Sequence, residues 1–104
     1  MQFKSLPNNE KPRERLKLYG KENLSNEELL QILIKCGSRK YSVKDISISI
    51  LSKVGDLSNL KNYTLNTLQD IEGMSEIKSL ELLAALELGR RVYAQTPPET
   101  LLNC

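Results

Sequence analysis

The chain contains no histidine, and this absence removes several kinds of functional site. Without imidazole there is no His ligand for zinc, no Ser-His-Asp or Cys-His nucleophile system and no His acid–base pair. We therefore expect this chain not to be an enzyme, and to have no catalytic residue, no bound metal and no cofactor.

Tryptophan is also absent and phenylalanine occurs once, so aromatic residues make up 5% of the 104 residues. The core must therefore be aliphatic. Hydrophobic residues at 39% and charged residues at 27% are typical of a globular domain. This length favours one domain with a core that needs no covalent staples.

Cysteine is scarce, and Cys36 and Cys104 form no C-x-x-C pair. They could form one disulfide, but a reducing compartment is the favoured interpretation. The first residues lack the apolar segment of a signal peptide, and the longest apolar run, Leu82 to Leu86, is far shorter than the ~20 residues of a membrane span. We expect a cytoplasmic protein without membrane contact; its oligomeric state has no sequence signal.

Helix start and stop signals recur along the chain. Ser25 and Glu28 form a capping box before a helix at 26–36, and Pro12 begins a helix that ends at Gly20. Further helices are predicted at 42–54, after Asp56, at 64–71 and at 76–94. The predicted fold is all-α, a compact bundle of five to six short helices of helix-hairpin-helix type around the long last helix.

Two segments need further interpretation. Ile46, Ile48 and Ile50 alternate as in a strand. A helix is nevertheless favoured, because Ile46 and Ile50 belong to an apolar helical stripe, although Ile48 lies off it. The last helix is apolar nearly all round, so we expect it at the centre of the bundle with Leu83 and Leu86 buried. The domain would then cover 1–95, followed by a linker at 96–104.

The segment Leu68–Ser79 has the spacing of a helix-hairpin-helix. Gly73 permits positive φ in the turn, and the helix after Ser75 begins with free N–H groups at the positive end of its dipole. Lys78 adds a cation in the first turn. Hairpins of this kind hold a DNA phosphate without reading sequence, but any two helices joined by a Gly turn give a similar string.

The loop before Ser42 is a second candidate anion site, and Tyr41 in it could stack on a base. Four cations flank the start of the helix at Ser42: Lys35, Arg39, Lys40 and Lys44. The alternative is a solvated loop between two helices.

For the remaining candidates a structural role is favoured. Arg13 and Arg15 point in different directions on a short helix, so one of them should pair with an acidic side chain. Arg90 and Arg91 complement the negative end of the last helix. Cys36 is expected to be a small buried hydrophobic residue.

Four segments, Pro12–Leu16, Leu24–Leu30, Gly73–Ser75 and Ala84–Arg91, together resemble the N-terminal region of the bacterial RadC family. They match, in order, its P-R-E-R-L and L-S-x-x-E-L-L strings, its G-I-G hairpin and its A-A-L-E-L-G-R-R-like helix. The family is similar to helix-hairpin-helix domains such as those of RuvA and is named for a DNA-repair phenotype. The resemblance therefore implies a helical domain that contacts DNA.

RadC-type proteins normally carry a C-terminal domain resembling JAMM/MPN zinc metalloproteases, with a Glu, an H-x-H pair and an Asp at the metal. Because this chain lacks histidine, the resemblance implies the N-terminal domain alone. Two functions follow. The domain either brings a tethered metalloenzyme-like domain to DNA through phosphate contacts, or packs as an interaction domain on that C-terminal domain or on another protein.

The hairpin departs from the family pattern at Ser75, which replaces the second glycine. The Ser75 side chain restricts the approach of a phosphate, and three carboxylates, of Asp70, Glu72 and Glu76, surround the turn. Charges within ~10 Å are not fully screened at physiological salt. We therefore predict that the 35–44 loop makes the main phosphate contacts.

Overall fold

The computed structural model describes residues 11–94, and every regular element in that part of the chain is a helix. The α-helices are α1 (Pro12–Tyr19), α2 (Asn26–Ile34), α3 (Val43–Val54), α4 (Leu65–Gln69) and α5 (Glu76–Tyr93). Short 3-10 helices occupy Lys21–Asn23 and Leu57–Asn62. The all-α prediction is confirmed, and the strand interpretation of the isoleucine segment is wrong.

Polar residues begin the helices because their side chains satisfy backbone amides that have no partner inside the helix. At α2, Ser25 Oγ accepts a hydrogen bond from the Glu28 amide at 3.1 Å, and Glu28 Oε1 accepts one from the Ser25 amide at 2.9 Å. Ser42 and Asp45 form the same reciprocal pair at α3, at 3.0 and 3.2 Å. Ser75 begins α5 by accepting from the amide three residues on.

The hydrophobic core lies around α3. Ile46 and Ile50 on this helix are fully buried, and Leu68 of α4 is fully buried beside them. The other buried members of this cluster are aliphatic residues and one methionine: Leu30, Ile34, Val54, Leu60, Ile71, Met74 and Leu82. As the composition predicts, the core contains no buried aromatic residue within 11–94.

The prediction that α5 is buried on all sides is wrong. On this helix Ser79 and Leu82 are buried, whereas Leu88 and Val92 are 65% and 67% exposed. Leu83 and Leu86 are only half-buried. The physical reason is that α5 packs on α2 and α4 along one face only, so that apolar residues on its other faces and in its last two turns stay exposed. An apolar surface nearly all round a helix is therefore not sufficient to predict that the helix is buried within its own bundle.

Smaller predictions had mixed outcomes. Of the two leucines after Asp56, Leu60 is buried, but Leu57 is 41% exposed and its predicted inward position is wrong. The predicted linker at 96–104, including Cys104, lies outside the described residues. Within 11–94 no helix combines the length and the hydropathy needed to cross a membrane.

Candidate nucleic-acid interface

The loop between α2 and α3 is a hydrogen-bonded turn. The Ser38 amide donates to Tyr41 O at 2.8 Å, and the Tyr41 amide donates to Ser38 Oγ at 3.1 Å. A Cβ on Gly37 would lie 2.5 Å from Tyr41 O, so the turn closes this tightly only over a glycine. These contacts place Arg39 and Lys40, both exposed, at the tip of the turn.

Lys35 ends α2 in a backbone conformation that is rare for a residue with a side chain. Its φ is 68° and its ψ is −53°, and the Cys36 amide donates to Ile34 O at 2.8 Å. This is a γ-turn of the strained, positive-φ type. It ends α2 at Ile34 rather than at residue 36, so Cys36 lies in the loop. Cys36 is exposed, and the prediction that it is buried is wrong.

The charge of Lys35 is partly engaged. Lys35 Nζ lies 3.3 Å from Glu81 Oε1 on α5, and both side chains are about half exposed or more. An exposed ion pair of this kind contributes only ~0–1 kcal/mol. The loop between α2 and α3, residues 35–42, is called the basic loop below. Lys35 ties this loop to α5 only weakly and is a less available cation than Arg39 or Lys40.

Lys44 lies in the first turn of α3, next to the helix start as the sequence placed it, and it is exposed. The end of that helix is not an open anion site, however, because the Asp45 carboxylate accepts a hydrogen bond from the Ser42 amide there. A negative side chain already occupies the positive end of the dipole. Lys44 can therefore act on an anion through its own charge, with little help from the helix.

The α4–α5 turn lies against the same end of α3. Gly73 has φ 89°, and a Cβ on it would lie 2.5 Å from Ile46 Cγ1 and 3.4 Å from Tyr41 Cβ. The packing of the hairpin on α3 thus requires glycine at this position independently of any ligand. Because Tyr41 belongs to the basic loop, the structure brings together the two candidate anion sites that the sequence indicated separately.

The hairpin itself keeps the mixed charge that the sequence indicated. Ser75 is exposed and its hydroxyl accepts from the Lys78 amide at 3.1 Å, while the Lys78 side chain is half-buried. The neighbouring acidic residues Asp70, Glu72 and Glu76 are all exposed. Among residues 11–94 no carboxylate caps the α5 amides, so this helix end is more open to an anion than that of α3, but it is surrounded by negative charge.

Tyr41 is half-buried against the core. The Lys40 ammonium lies 6.0 Å from the centroid of its ring, at the limit of a cation–π contact. Because Tyr41 packs on the core and the Lys40 ammonium lies near its ring, less of the Tyr41 ring is available to stack on a base than the sequence indicated.

The arginines outside the loop have structural partners. Arg15 forms an ion pair with Glu28, which confirms that one arginine of that pair binds an acidic side chain. The hydrogen bond from the Ser25 amide, followed by the charge of Arg15, holds the pKa of the Glu28 carboxyl below its usual value, although partial burial opposes this. Arg13 is exposed.

Arg90 and Arg91 both bind Glu87 on the last turns of α5, at 2.8 and 2.9 Å. The hydrogen bonds from these two arginines lower the pKa of the Glu87 carboxyl to about 2. Both cations are therefore already engaged by a carboxylate, a pairing that the sequence interpretation, based on the helix dipole, did not include.

Two surface depressions had no sequence signal. A cleft of about 580 Å³ lies between the start of α1 and the basic loop, and its walls include Lys11, Arg13, Lys35 and Cys36. A groove of about 760 Å³ between α5 and the second 3-10 helix is mainly apolar. Leu57, Leu60, Tyr63, Leu83 and Leu86 form most of that groove. Both depressions depend on contacts between distant segments, which no local pattern encodes.

Comparisons with known proteins agree on one family. Residues 3–80 match the family model described as UPF0758 N-terminal. The chain is 44% identical over 96 residues to a UPF0758 protein of Bacillus pumilus, covering 92% of this chain and 43% of that protein. It is 49% identical over 81 residues to a UPF0758 protein of Streptococcus sanguinis, covering 78% of this chain and 36% of that one.

With the UPF0758 protein YsxA of Bacillus subtilis the identity is 42% over 93 residues, covering 89% of this chain and 40% of that protein. The chain thus spans about two fifths of the length of the curated relatives it matches. No solved structure matches it significantly. The family match and these identities show that the chain belongs to the UPF0758 family and corresponds to its N-terminal region.

Proposed function

We propose that this chain is the non-catalytic, helix-hairpin-helix N-terminal domain of a RadC-type protein. In this proposal it binds DNA through phosphate contacts that do not read sequence and so serves DNA repair or recombination. The observation that carries the proposal is the meeting of the basic loop and the Gly73 hairpin at Tyr41. A phosphate backbone that contacts one of these segments would lie beside the other.

The pairing of the cations supports this assignment. No carboxylate within residues 11–94 forms an ion pair with Arg39, Lys40 or Lys44. By contrast, Arg15, Arg90 and Arg91 each bind a glutamate. Exposed cations that the fold does not use are the ones available to neutralise phosphates and release counterions.

Fluorescence anisotropy on unrelated duplexes at several salt concentrations tests the proposal. The variant Arg39→Ala/Lys40→Ala should weaken binding equally for all sequences and flatten the slope of log K against log salt by roughly 0.9 for each phosphate that the protein no longer neutralises. Lys53→Ala/Lys61→Ala removes the same charge from another part of the surface and should have little effect. Glu72→Lys should strengthen binding because it makes the hairpin less negative.

Two results would defeat the proposal. One is the absence of wild-type binding to duplex, single-stranded and forked DNA at about 50 mM salt, where phosphate contacts are strongest. The other is an equal reduction of affinity in the Lys53→Ala/Lys61→Ala control, because binding would then depend on net charge alone.

A second function is favoured by one specific observation, the exposed apolar surface of α5. Leu88, Val92 and Tyr93 are 65%, 67% and 81% exposed. We propose as the alternative that this surface packs on the part of the longer relatives that lies outside this chain. The length of those relatives supports this occupant, since about three fifths of each has no counterpart here.

The test uses the full-length Bacillus subtilis relative, with the residues equivalent to Leu88 and Val92 changed to lysine. Because both side chains are exposed here, Leu88→Lys/Val92→Lys should leave the thermal melt of the present chain nearly unchanged. In the full-length protein the same changes should increase hydrogen exchange on the α5 face. Equal exchange before and after the changes would contradict the packing.

A further inference from the structure

We infer that the DNA interface continues past the basic loop into the cleft lined by Lys11 and Arg13, where a second backbone phosphate binds. This inference rests on the proposed function and extends the same site. Lys35 and Val43 both line the cleft, and the tip of the turn lies between them in the chain. The cleft is thus lined by both ends of the α2–α3 loop, whose tip carries Arg39 and Lys40.

The charge of the cleft matches a phosphate. Its walls carry three cations, Lys11, Arg13 and Lys35, and one carboxylate, Glu14. Arg13 forms no ion pair with any carboxylate in residues 11–94, and its side chain is exposed. Lys35 is held by Glu81, so Lys11 and Arg13 supply the available positive charge.

The size of the cleft also fits. About 580 Å³ lies within the range of sites that hold small molecules, and it is ample for a phosphate and its sugar. Gln31 on the wall is uncharged but offers an amide, whose Nε2 donates to Glu27 at 3.1 Å. A phosphate in this position would contact α1, whereas the tip contacts come from the α2–α3 loop.

Two double variants distinguish phosphate binding in the cleft from phosphate binding at the tip of the turn. Lys11→Ala/Arg13→Ala should weaken duplex binding and flatten the salt dependence by roughly 0.9 per phosphate, as the tip variant does. Lys17→Ala/Lys21→Ala removes the same charge from nearby positions outside the cleft and should leave the slope near that of the wild type. A slope unchanged by Lys11→Ala/Arg13→Ala, while Arg39→Ala/Lys40→Ala flattens it, would overturn the inference and leave the proposed function standing.

Cys36 provides a second measurement because its exposed thiol lines the cleft. In a Cys104→Ser chain, saturating duplex DNA should slow alkylation of Cys36 by iodoacetamide several-fold, and Lys11→Ala/Arg13→Ala should abolish much of that protection. Unchanged alkylation at a DNA concentration that anisotropy shows to be saturating would overturn the inference. Equal protection by tripolyphosphate at the same phosphate concentration would also overturn it, because the cleft would then be a site for small anions. No DNA binding at all would defeat the proposed function and the inference together.

Discussion

Replacing Gly73 by alanine tests why the hairpin has glycine at this position. The sequence indicated a turn that requires a positive φ, and the structure shows in addition that the glycine packs on Ile46. Gly73 has φ 89°, and an added Cβ would lie 2.5 Å from Ile46 Cγ1 and 3.0 Å from Ile46 Cδ1. Gly55→Ala is a matched control, because Gly55 has φ 75° with no atom within 4 Å of the added Cβ.

The two substitutions share one energetic cost and differ in another. A positive φ costs a residue with a Cβ about 1–2 kcal/mol, and this applies to both glycines. At Gly73 the clash with a fully buried side chain adds about 1–3 kcal/mol, typical of an overpacked core. We therefore expect Gly73→Ala to lower the free energy of unfolding by about 2–5 kcal/mol and Gly55→Ala by only about 1–2 kcal/mol.

Urea melts followed by circular dichroism measure both values, with the slope of the transition as a check on two-state behaviour. Combining Gly73→Ala with Ile46→Ala should cost less than the two changes separately, with a coupling of about 0.5–3 kcal/mol, because the smaller side chain makes room for the new Cβ. If Gly73→Ala and Gly55→Ala destabilise equally, or if the double variant is additive, the contact with Ile46 does not explain the glycine.

The remaining predictions use the same melts or simple analysis. Ile50→Ala should cost about 2–5 kcal/mol and Leu86→Ala clearly less, since one is fully buried and the other half-buried; equal values would contradict the placement of the core around α3. The Ser25 amide and Arg15 lower the folded-state pKa of Glu28, so the stability this carboxylate contributes is present above its ordinary pKa of 4.5 and is lost as the pH falls through the folded value. Glu28→Gln should therefore destabilise the protein at pH 7 and make little difference in strong acid, and an equal destabilisation at both pH values would refute the ion pair. The purified chain should contain no stoichiometric zinc, because residues 11–94 bring together no group of three metal-ligating side chains; elemental analysis that gives one zinc per chain would contradict this.

The starts of the helices could be predicted because they depend on neighbouring residues only. Ser25, Ser42 and Ser75 each bind an amide within three positions, so the sequence contains both partners of the contact. The ends of helices depend more on tertiary packing. No local signal predicted that α2 stops at Ile34, because a lysine in a positive-φ conformation ends it there.

In the candidate site, too, features that depend on neighbouring residues could be predicted, whereas contacts between distant segments could not. The exposure of Arg39 and Lys40 followed from their place between two helices, but the contact of Gly73 with Tyr41 joins residues far apart in the chain, and no periodicity predicts it. The sequence predicted a helix start at Ser42 but not the capping box that Ser42 forms with Asp45. The carboxylate at this helix end, which was proposed for an anion, became evident only from the observed hydrogen bond.

Because Lys35 lies in a γ-turn with positive φ, stability favours glycine at residue 35, whereas positive charge in the loop favours lysine. Positive-φ strain of this kind costs on the order of 1–3 kcal/mol, which glycine would avoid. The ion pair with Glu81 offsets at most ~1 kcal/mol of it. Variants selected for heat resistance should therefore converge on glycine at residue 35, whereas variants selected for affinity to a polyanion should retain lysine.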